Sequence, residues 1–244
     1  MKHLLLLGGG LLLASTAHAQ ATFRVGPRIG GAITSAHFPE TYGASYESRS
    51  GFEAGLLGNL QLGQFAVQPS LLFSQRGYRR TSIPIYFDPP IPPDPGTVEE
   101  TTRLNYLTLP INMAFTLGRD GQGLQVFGGP YMALLVGGNY TYHIHIGSPY
   151  PGGNPYNREE TRKVQAGSVV SNPSADYTYS RRFDTGLQAG LGYRFNGLLV
   201  QASYSLGLRN QAVQYEFNSY IYNTPAYYNR AWQLSLSYLV GSKS

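Results

Sequence analysis

The sequence predicts an all-β protein: an eight-stranded antiparallel up-and-down transmembrane β-barrel with short periplasmic turns and long extracellular loops. Three observations lead to this prediction. Apolar and polar residues alternate strictly in eight segments of the 244-residue chain. The connections between these segments are alternately long and short. Only 13% of the residues are charged, about half of the ~25% that is usual in soluble domains.

The N-terminal residues 1–19 have the features of a secretory signal peptide. Lys2 and His3 precede the apolar run Leu4–Leu13, and Ala17-His18-Ala19 forms a small-residue cleavage site before Gln20. The run is too short for a transmembrane helix, and no later run of about 18 apolar residues follows. With no cysteine in the chain, a lipid anchor at the new N-terminus is not expected. Residues 20–244 are therefore predicted to form one domain, and membrane residence would require strands.

The clearest alternation runs from Phe183 to Phe195. Leu187 and Leu191 lie on its apolar face, whereas Asp184 and Arg194 lie on its polar face. Successive side chains of a strand point to opposite faces, so the segment is a two-faced strand. The same pattern predicts seven more strands, at 23–34, 52–61, 65–74, 107–116, 124–136, 200–209 and 232–238.

The connections support the barrel independently of the strand pattern. The short ones, 61–64, 118–123 and 195–198, are rich in Gly, Asn and Asp, which favour tight turns. The long ones are 35–50, 79–102, 140–178 and 211–229; the second is rich in proline and the third is long enough for a hairpin of its own. A membrane barrel with both termini on one side gives this order of connections.

The polar faces predict which side of each strand points inward. They consist mainly of Gly, Ser, Gln, Asn and Thr, without lysine, which suits the narrow interior of a small membrane barrel better than a surface in water. Their isolated charges are Arg24, Arg28, Glu53, Asp184, Arg194 and Arg209. A buried charge needs a partner. We therefore predict an interior network that joins the four arginines to the two carboxylates.

Aromatic residues are expected in two belts at the membrane interfaces. The predicted belt near the long loops comprises Tyr140, Tyr142, Tyr177, Tyr179, Tyr227, Tyr228 and Trp232. The predicted belt near the short turns comprises Phe23, Phe65, Phe115, Tyr193, Phe195 and Tyr238. The alternative interpretation is that tyrosine is simply a favourable strand residue.

Three segments resemble the PorT-like outer-membrane β-barrel domain family of Gram-negative bacteria. They are Arg103-Leu-Asn-Tyr-Leu-Thr-Leu-Pro-Ile-Asn112, Phe183-Asp-Thr-Gly-Leu-Gln-Ala-Gly-Leu-Gly-Tyr193 and Arg230-Ala-Trp-Gln-Leu-Ser-Leu-Ser-Tyr238. The resemblance implies an outer-membrane location and little about activity. The chain departs from the usual terminal aromatic residue of such barrels, since it ends in Val240-Gly-Ser-Lys-Ser244; Tyr238 is the candidate for that role.

No residue is predicted to be catalytic, cofactor-binding or metal-ligating. His143 and His145 would share one strand face, but no cysteine or neighbouring carboxylate completes a metal site with them. The acidic pairs Glu99-Glu100 and Glu159-Glu160 are interpreted as solvated loop charges. The net charge of +5 is modest and not clustered, so no nucleic-acid partner is expected.

Three hypotheses about function follow. The first is a monomeric, non-enzymatic structural or interaction barrel in outer-membrane lipid, with a side-chain-filled interior and loops that bind a protein partner. The second is a small passive pore or transporter, although eight strands leave little lumen. The third is an outer-membrane enzyme or a soluble ligand-binding barrel.

Overall fold

The computed structural model describes residues 21–40, 44–83, 96–118, 121–148, 153–217 and 220–241. The predicted signal peptide, 1–19, lies outside the described residues, as does most of the proline-rich segment. The strands of the described part are β1 (Thr22–His37), β2 (Ser45–Glu47), β3 (Arg49–Leu62), β4 (Phe65–Ser82), β5 (Thr97–Thr116), β6 (Gly123–Ile146), β7 (Tyr156–Ala166), β8 (Val169–Ser171), β9 (Tyr177–Ser180), β10 (Phe183–Phe195), β11 (Leu198–Gly207), β12 (Gln214–Phe217), β13 (Tyr220–Asn223) and β14 (Tyr228–Tyr238). The described residues include no helix that is both long and apolar enough to span a membrane.

Eight of these strands pair in a ring. The order is β10-β11-β14-β1-β3-β4-β5-β6, and β6 also pairs with β10. Each neighbouring pair is antiparallel. The all-β class is confirmed, and each segment predicted from alternation corresponds to one strand of this ring, although the segment 200–209 extends two residues past the end of β11.

The ring strands are joined in the predicted sequence of long and short connections. β3 and β4 are separated by Gly63 and Gln64, and β10 and β11 by Asn196 and Gly197. Asn196 and Gly197 have φ angles of 47° and 87°, the left-handed conformation that a two-residue type I′ hairpin requires. The long connections contain the shorter strands β2, β7 to β9, and β12 and β13.

The two faces of the ring strands differ sharply in exposure. Leu187 and Leu191 are 52% and 55% exposed on the outer face, whereas Gln188 and Gln201 are 6% and 1% exposed on the inner face. The outer apolar band includes Phe23, Ile29, Ile33, Phe52, Leu56, Phe65, Leu71, Leu109, Met113, Leu124, Met132, Leu187, Leu191, Trp232 and Leu234. Polar side chains inside and apolar side chains outside are the arrangement of a barrel in lipid, as predicted.

Strands β4, β5 and β6 continue past this apolar band on the side of the long connections. Their residues 75–82, 97–105 and 137–146 pair with one another and, through β6, with β7 and β9. We call these five stretches the extension sheet. Most of its residues lie in the predicted long connections 79–102 and 140–178, because a sheet with both faces outside lipid lacks the apolar face that marks a membrane strand.

Residues 239–240 continue the pairing of β14 with its two neighbours at the short-turn end of the ring. After β14, the Leu239 amide donates to the Gly197 carbonyl at 2.7 Å. Val240 pairs with Val25. The Leu239 side chain is 4% exposed and packs with Leu57 and Leu199 inside the ring. An apolar cluster therefore lies across this end of the interior.

Candidate functional site: the ring interior and the aromatic cavity

A buried ion pair between Arg28 and Glu53 anchors the first interior network. The Arg28 Nη2 and Nε atoms lie 2.8 and 2.9 Å from the Glu53 Oε1 atom. Both side chains are 1% exposed. The second carboxylate oxygen accepts a hydrogen bond of 3.1 Å from Gln233 Nε2. The structure thus brings together two of the six predicted network residues, on the adjacent strands β1 and β3.

Amide side chains extend this network across the interior. Arg28 Nη1 donates to Gln201 Oε1 at 2.9 Å, and Gln201 Nε2 donates to Gln68 Oε1 at 3.0 Å. Gln68 Nε2 in turn donates to Asn59 Oδ1 at 2.9 Å. These four residues come from four different ring strands, and each is at most 1% exposed. We call this chain of hydrogen bonds the amide relay.

Arg194 and Arg24 lie near the short-turn end of the interior. Arg194 is 2% exposed, and its Nη1 donates to Gln61 Oε1 at 3.3 Å, which connects it to the amide relay through Asn59. In the described part of the chain, no carboxylate forms an ion pair with either arginine. Arg194 therefore reaches Glu53 only through the amide side chains of the relay, and among the described residues no direct bond joins either arginine to Glu53 or Asp184. Arg194 is ten residues from Asp184 on β10, so the strand separates them by about 33 Å.

Asp184 anchors a second network near the long-loop end. Its Oδ2 accepts hydrogen bonds from Arg76 Nη1 at 2.8 Å, Asn229 Nδ2 at 3.0 Å and Tyr131 Oη at 3.3 Å. Its Oδ1 accepts one from Gln211 Nε2 at 3.3 Å. The Arg76 guanidinium also lies 4.5 Å from the centre of the Tyr131 ring, within the range of a cation–π interaction.

Arg76 was missed because the predicted strand 65–74, which corresponds to β4, ends two residues before it. Continuing the alternation of Gln68, Ser70 and Ser74 by one more step places Arg76 on the inner face. Arg209 was included in the predicted network because its strand was predicted to extend to residue 209, whereas β11 ends at Gly207. Arg209 is partly exposed, and its carbonyl oxygen, not its guanidinium, contributes by accepting from Gln211.

An aromatic cavity of about 180 Å³ lies where the extension sheet faces the long connections. All four long connections or their flanking strands line it. Phe38 and Tyr46 come from the first, Tyr78 from the flank of the second, Tyr179 from the third, and Tyr227 from the fourth. The cavity therefore depends on the ring, which holds these distant segments at one end.

The aromatic rings of the cavity pack against one another. Phe38 and Tyr46 stack with centroids 3.9 Å apart, and Phe38 and Tyr227 stack at 5.5 Å. Tyr78 meets Tyr227 edge-on at 5.5 Å. Such contacts hold the rings in fixed orientations. Tyr140, Tyr179 and Tyr227 thus line a cavity instead of the predicted outer belt, whereas Trp232 is 64% exposed on the outer face.

One ion pair lies among these rings. Arg80 Nη1 is 2.6 Å from Glu100 Oε2, and Tyr140 Oη donates a short hydrogen bond to Glu100 Oε1. Burial, and next the charge of Glu100, raise the pKa of the Tyr140 phenol. Burial likewise raises the pKa of Tyr78 to about 12. Both phenols therefore remain protonated near neutral pH, and Tyr140 donates its one proton to Glu100.

The histidines and acidic pairs of the loops form no metal centre in the described ranges, where no group of three or more potential ligands occurs. His143 is exposed and lies opposite Glu99 and Glu159 in the sheet. Nδ1 of His145 lies 2.6 Å from Asn157 Oδ1. Glu160 accepts hydrogen bonds from Tyr142 Oη at 2.5 Å and Arg162 Nε at 2.8 Å. These residues link β6 to β7.

Three solved structures illustrate what this fold is similar to. Neisserial surface protein A is 9% identical, with a TM-score of 0.37 and coverage of 88% of this chain and 96% of that one. The N-terminal β-barrel domain of Pseudomonas aeruginosa OprF is 11% identical, with a TM-score of 0.26 and coverage of 86% and 97%. The translocator domain of autotransporter NalP from Neisseria meningitidis is 10% identical, with a TM-score of 0.23 and coverage of 95% and 94%.

The sequence comparison is more specific. No curated protein sequence matches the chain significantly. The family model of the outer membrane protein beta-barrel domain matches residues 17–212, which is most of the chain and includes all ring strands except β14. The chain belongs to the outer membrane protein beta-barrel domain family.

Proposed function

We propose that this protein is a closed eight-stranded transmembrane barrel whose function resides in its extracellular loops. The amide relay is the observation that carries the proposal. It crosses the interior between four strands, at a level where polar side chains are almost completely buried. Side chains that fill the interior of an eight-stranded barrel leave little room for a solute.

The remaining parts of the proposal follow from the membrane setting. Residues 1–19 direct export across the inner membrane of a Gram-negative cell, and residues 20–244 form one barrel domain in outer-membrane lipid. The protein acts as a monomer without catalysis or a cofactor, and its loops bind a partner. Within its family, the three resembling segments favour a PorT-like member.

Planar-bilayer recordings test whether the barrel is closed. We expect the purified, folded protein to give no steady single-channel steps, because the amide relay and the Leu57–Leu199–Leu239 cluster occupy the interior. The triple variant Gln68→Ala/Gln201→Ala/Leu239→Ala shortens side chains of both the relay and the apolar cluster and should introduce conductance. Leu191→Ala, on the lipid-facing side of β10, is the matched control and should stay silent. Steady steps from the unmodified protein would overturn the proposal in favour of a passive pore.

Fractionation of cells that express the full chain tests the location. We expect the protein in the outer-membrane fraction, with the heat-dependent gel migration of a folded barrel. Release into the periplasm would contradict the outward orientation of the apolar faces and favour a soluble barrel.

A further inference from the structure

We propose that the aromatic cavity binds one neutral sugar ring, a hexopyranose that is either free or at the end of a glycan. The inference rests on the proposed function only in that the long-loop end must face the outside of the cell. Four properties of the cavity carry it: its ring-lined walls, its polar groups, its charge balance and its size.

The walls match the faces of a sugar ring. A pyranose presents C–H groups on its two faces and hydroxyl groups around its edge, so it needs apolar surface and hydrogen-bonding groups close together. Tyr46, Tyr78, Tyr179 and Tyr227 supply ring surface, and their phenols supply hydroxyl groups nearby. Thr102 and Thr178 add aliphatic hydroxyls to the lining. Sites with aromatic walls and a few convergent polar groups are typical of small-ligand binding.

The polar groups favour a ligand with oxygen acceptors over a hydrocarbon. Arg80 lines the cavity, and its buried Nε has no hydrogen-bond partner among the described residues. The Nε atom of Arg76 also has no hydrogen-bond partner among the described residues. The Arg76 side chain, however, lies in the packed interior and is 3% exposed, whereas the Arg80 side chain is 37% exposed. A purely apolar occupant would leave the Arg80 donor unsatisfied, and a buried unsatisfied donor is costly. A sugar hydroxyl can accept its hydrogen bond.

The charge balance favours a neutral ligand. Arg80 and Glu100 are the charged residues that line the cavity, and they pair with each other at 2.6 Å. An aromatic cage can hold a quaternary ammonium ion, but here Arg80 would repel it and Glu100 is already neutralised. An anion would be repelled by Glu100, which lies beside Arg80, the one guanidinium among the described residues that line the cavity.

The size of the cavity limits the ligand to about one ring. Its volume of about 180 Å³ is below the roughly 300–1,000 Å³ of sites for drug-sized molecules. A glycan longer than one residue would have to extend outward between the loops, so the cavity would select a terminal sugar.

Calorimetric titration of the folded protein in detergent micelles tests the inference. The probes are glucose, galactose, mannose and N-acetylglucosamine, with phenol, choline and glucuronate as the apolar, cationic and anionic alternatives. We expect saturable binding of at least one neutral sugar and weaker binding of the three alternatives. Competition with oligosaccharide released from lipopolysaccharide separates the two sources: displacement of the sugar assigns a glycan terminus, and its retention assigns a free sugar.

Two variants, with a third as their control, test whether the sugar binds in this cavity. Arg80→Met keeps the aliphatic stem and removes the donor, so affinity should fall about tenfold or more, as for loss of a charge-assisted hydrogen bond. Arg79→Met changes the adjacent arginine, which is half-exposed beside Glu47, and should leave affinity unchanged. Tyr46→Leu removes one wall ring without leaving a buried charge and should also weaken binding. It replaces Arg80→Met as the test if Arg80→Met fails to fold.

The inference would be overturned by either of two results. One is that none of the neutral sugars binds to protein with the gel migration of a folded barrel. The other is that phenol, choline or glucuronate binds more tightly than every sugar. Failure of the closed-barrel proposal is distinguishable, since it appears as channel steps in the bilayer, and a sugar that blocks such steps would still support the cavity site.

Discussion

The ring interior and the aromatic cavity each contain an arginine–carboxylate pair with tyrosine hydroxyls nearby, but they differ in exposure. In the interior, Asp184 and Arg76 are 0% and 3% exposed, and the carboxylate accepts hydrogen bonds from four residues. At the cavity, Glu100 and Arg80 are 17% and 37% exposed. An arginine–carboxylate pair with tyrosine hydroxyls nearby therefore occurs both in the packed interior and beside the cavity.

This difference indicates distinct roles for the two pairs. A buried ion pair that loses one partner leaves an uncompensated charge, which is strongly destabilising. A partly exposed pair can regain hydrogen bonds from water, so its contribution to folding is small. The interior pair should thus matter for the stability of the barrel, whereas the cavity pair should matter mainly for binding.

The largest expected effect is that of Asp184→Ala. It leaves Arg76 buried without its carboxylate, and the free energy of unfolding should fall by about 3–5 kcal/mol. Urea unfolding in micelles measures the loss, and heat-dependent gel migration should disappear at lower temperature.

Two further variants distinguish a missing partner from a general effect of substitution. Asp176→Ala changes an exposed carboxylate near β9 and should be close to neutral. Arg76→Met/Asp184→Leu removes both charges and should recover part of the lost stability. Unchanged stability of Asp184→Ala would show that this pair does not hold the interior together.

Much of the ring could be predicted because a membrane barrel has one strict period. Inward and outward positions alternate along every ring strand, so Gln188 and Leu187 could be assigned from sequence without knowing their contacts. Which polar residues meet could not be predicted. Arg28 reaches Glu53 because two adjacent strands have a particular register, and Asp184 meets Arg76 across 108 sequence positions.

The aromatic cavity could not be predicted for a related reason. Its residues lie between Phe38 and Tyr227 and come from segments without a common period. Their abundance of tyrosine was equally consistent with an interfacial belt. Only the arrangement of the long connections over the extension sheet turns Tyr140, Tyr179 and Tyr227 toward one space.

Glu100→Gln tests whether the cavity pair matters more for binding than for stability. Because the pair is partly exposed, we expect the variant to lose no more than about 1 kcal/mol of unfolding free energy. Its sugar affinity should nevertheless fall, since Arg80 is no longer held at its present position. Glu159→Gln, on an exposed part of β7, is the matched control for both measurements. A stability loss as large as that of Asp184→Ala would remove the distinction between the two pairs.

The smallest expected effect concerns Glu160, on the outer part of the extension sheet. The hydrogen bonds from Tyr142 and then Arg162 lower the pKa of Glu160 from 4.5 to about 2. A carboxyl group with a lowered folded pKa stabilises the folded form above its unfolded pKa. That contribution should be complete above about pH 4.5 and be lost as the pH falls toward 2.

Carbon-13 NMR titration of the Glu160 carboxyl measures this pKa directly. Because the group lies near the surface, its protonation should loosen the pairing of β6 with β7 and leave the unfolding of the ring unchanged. Tyr142→Phe removes the first donor and should raise the Glu160 pKa toward 4.5, and 1 M salt should act in the same direction by screening Arg158 and Arg162. A Glu160 pKa near 4.5 in the unmodified protein would instead mean that Glu160 adds nothing to the pairing of β6 with β7, which would then rest on the backbone hydrogen bonds and on contacts such as that of His145 with Asn157.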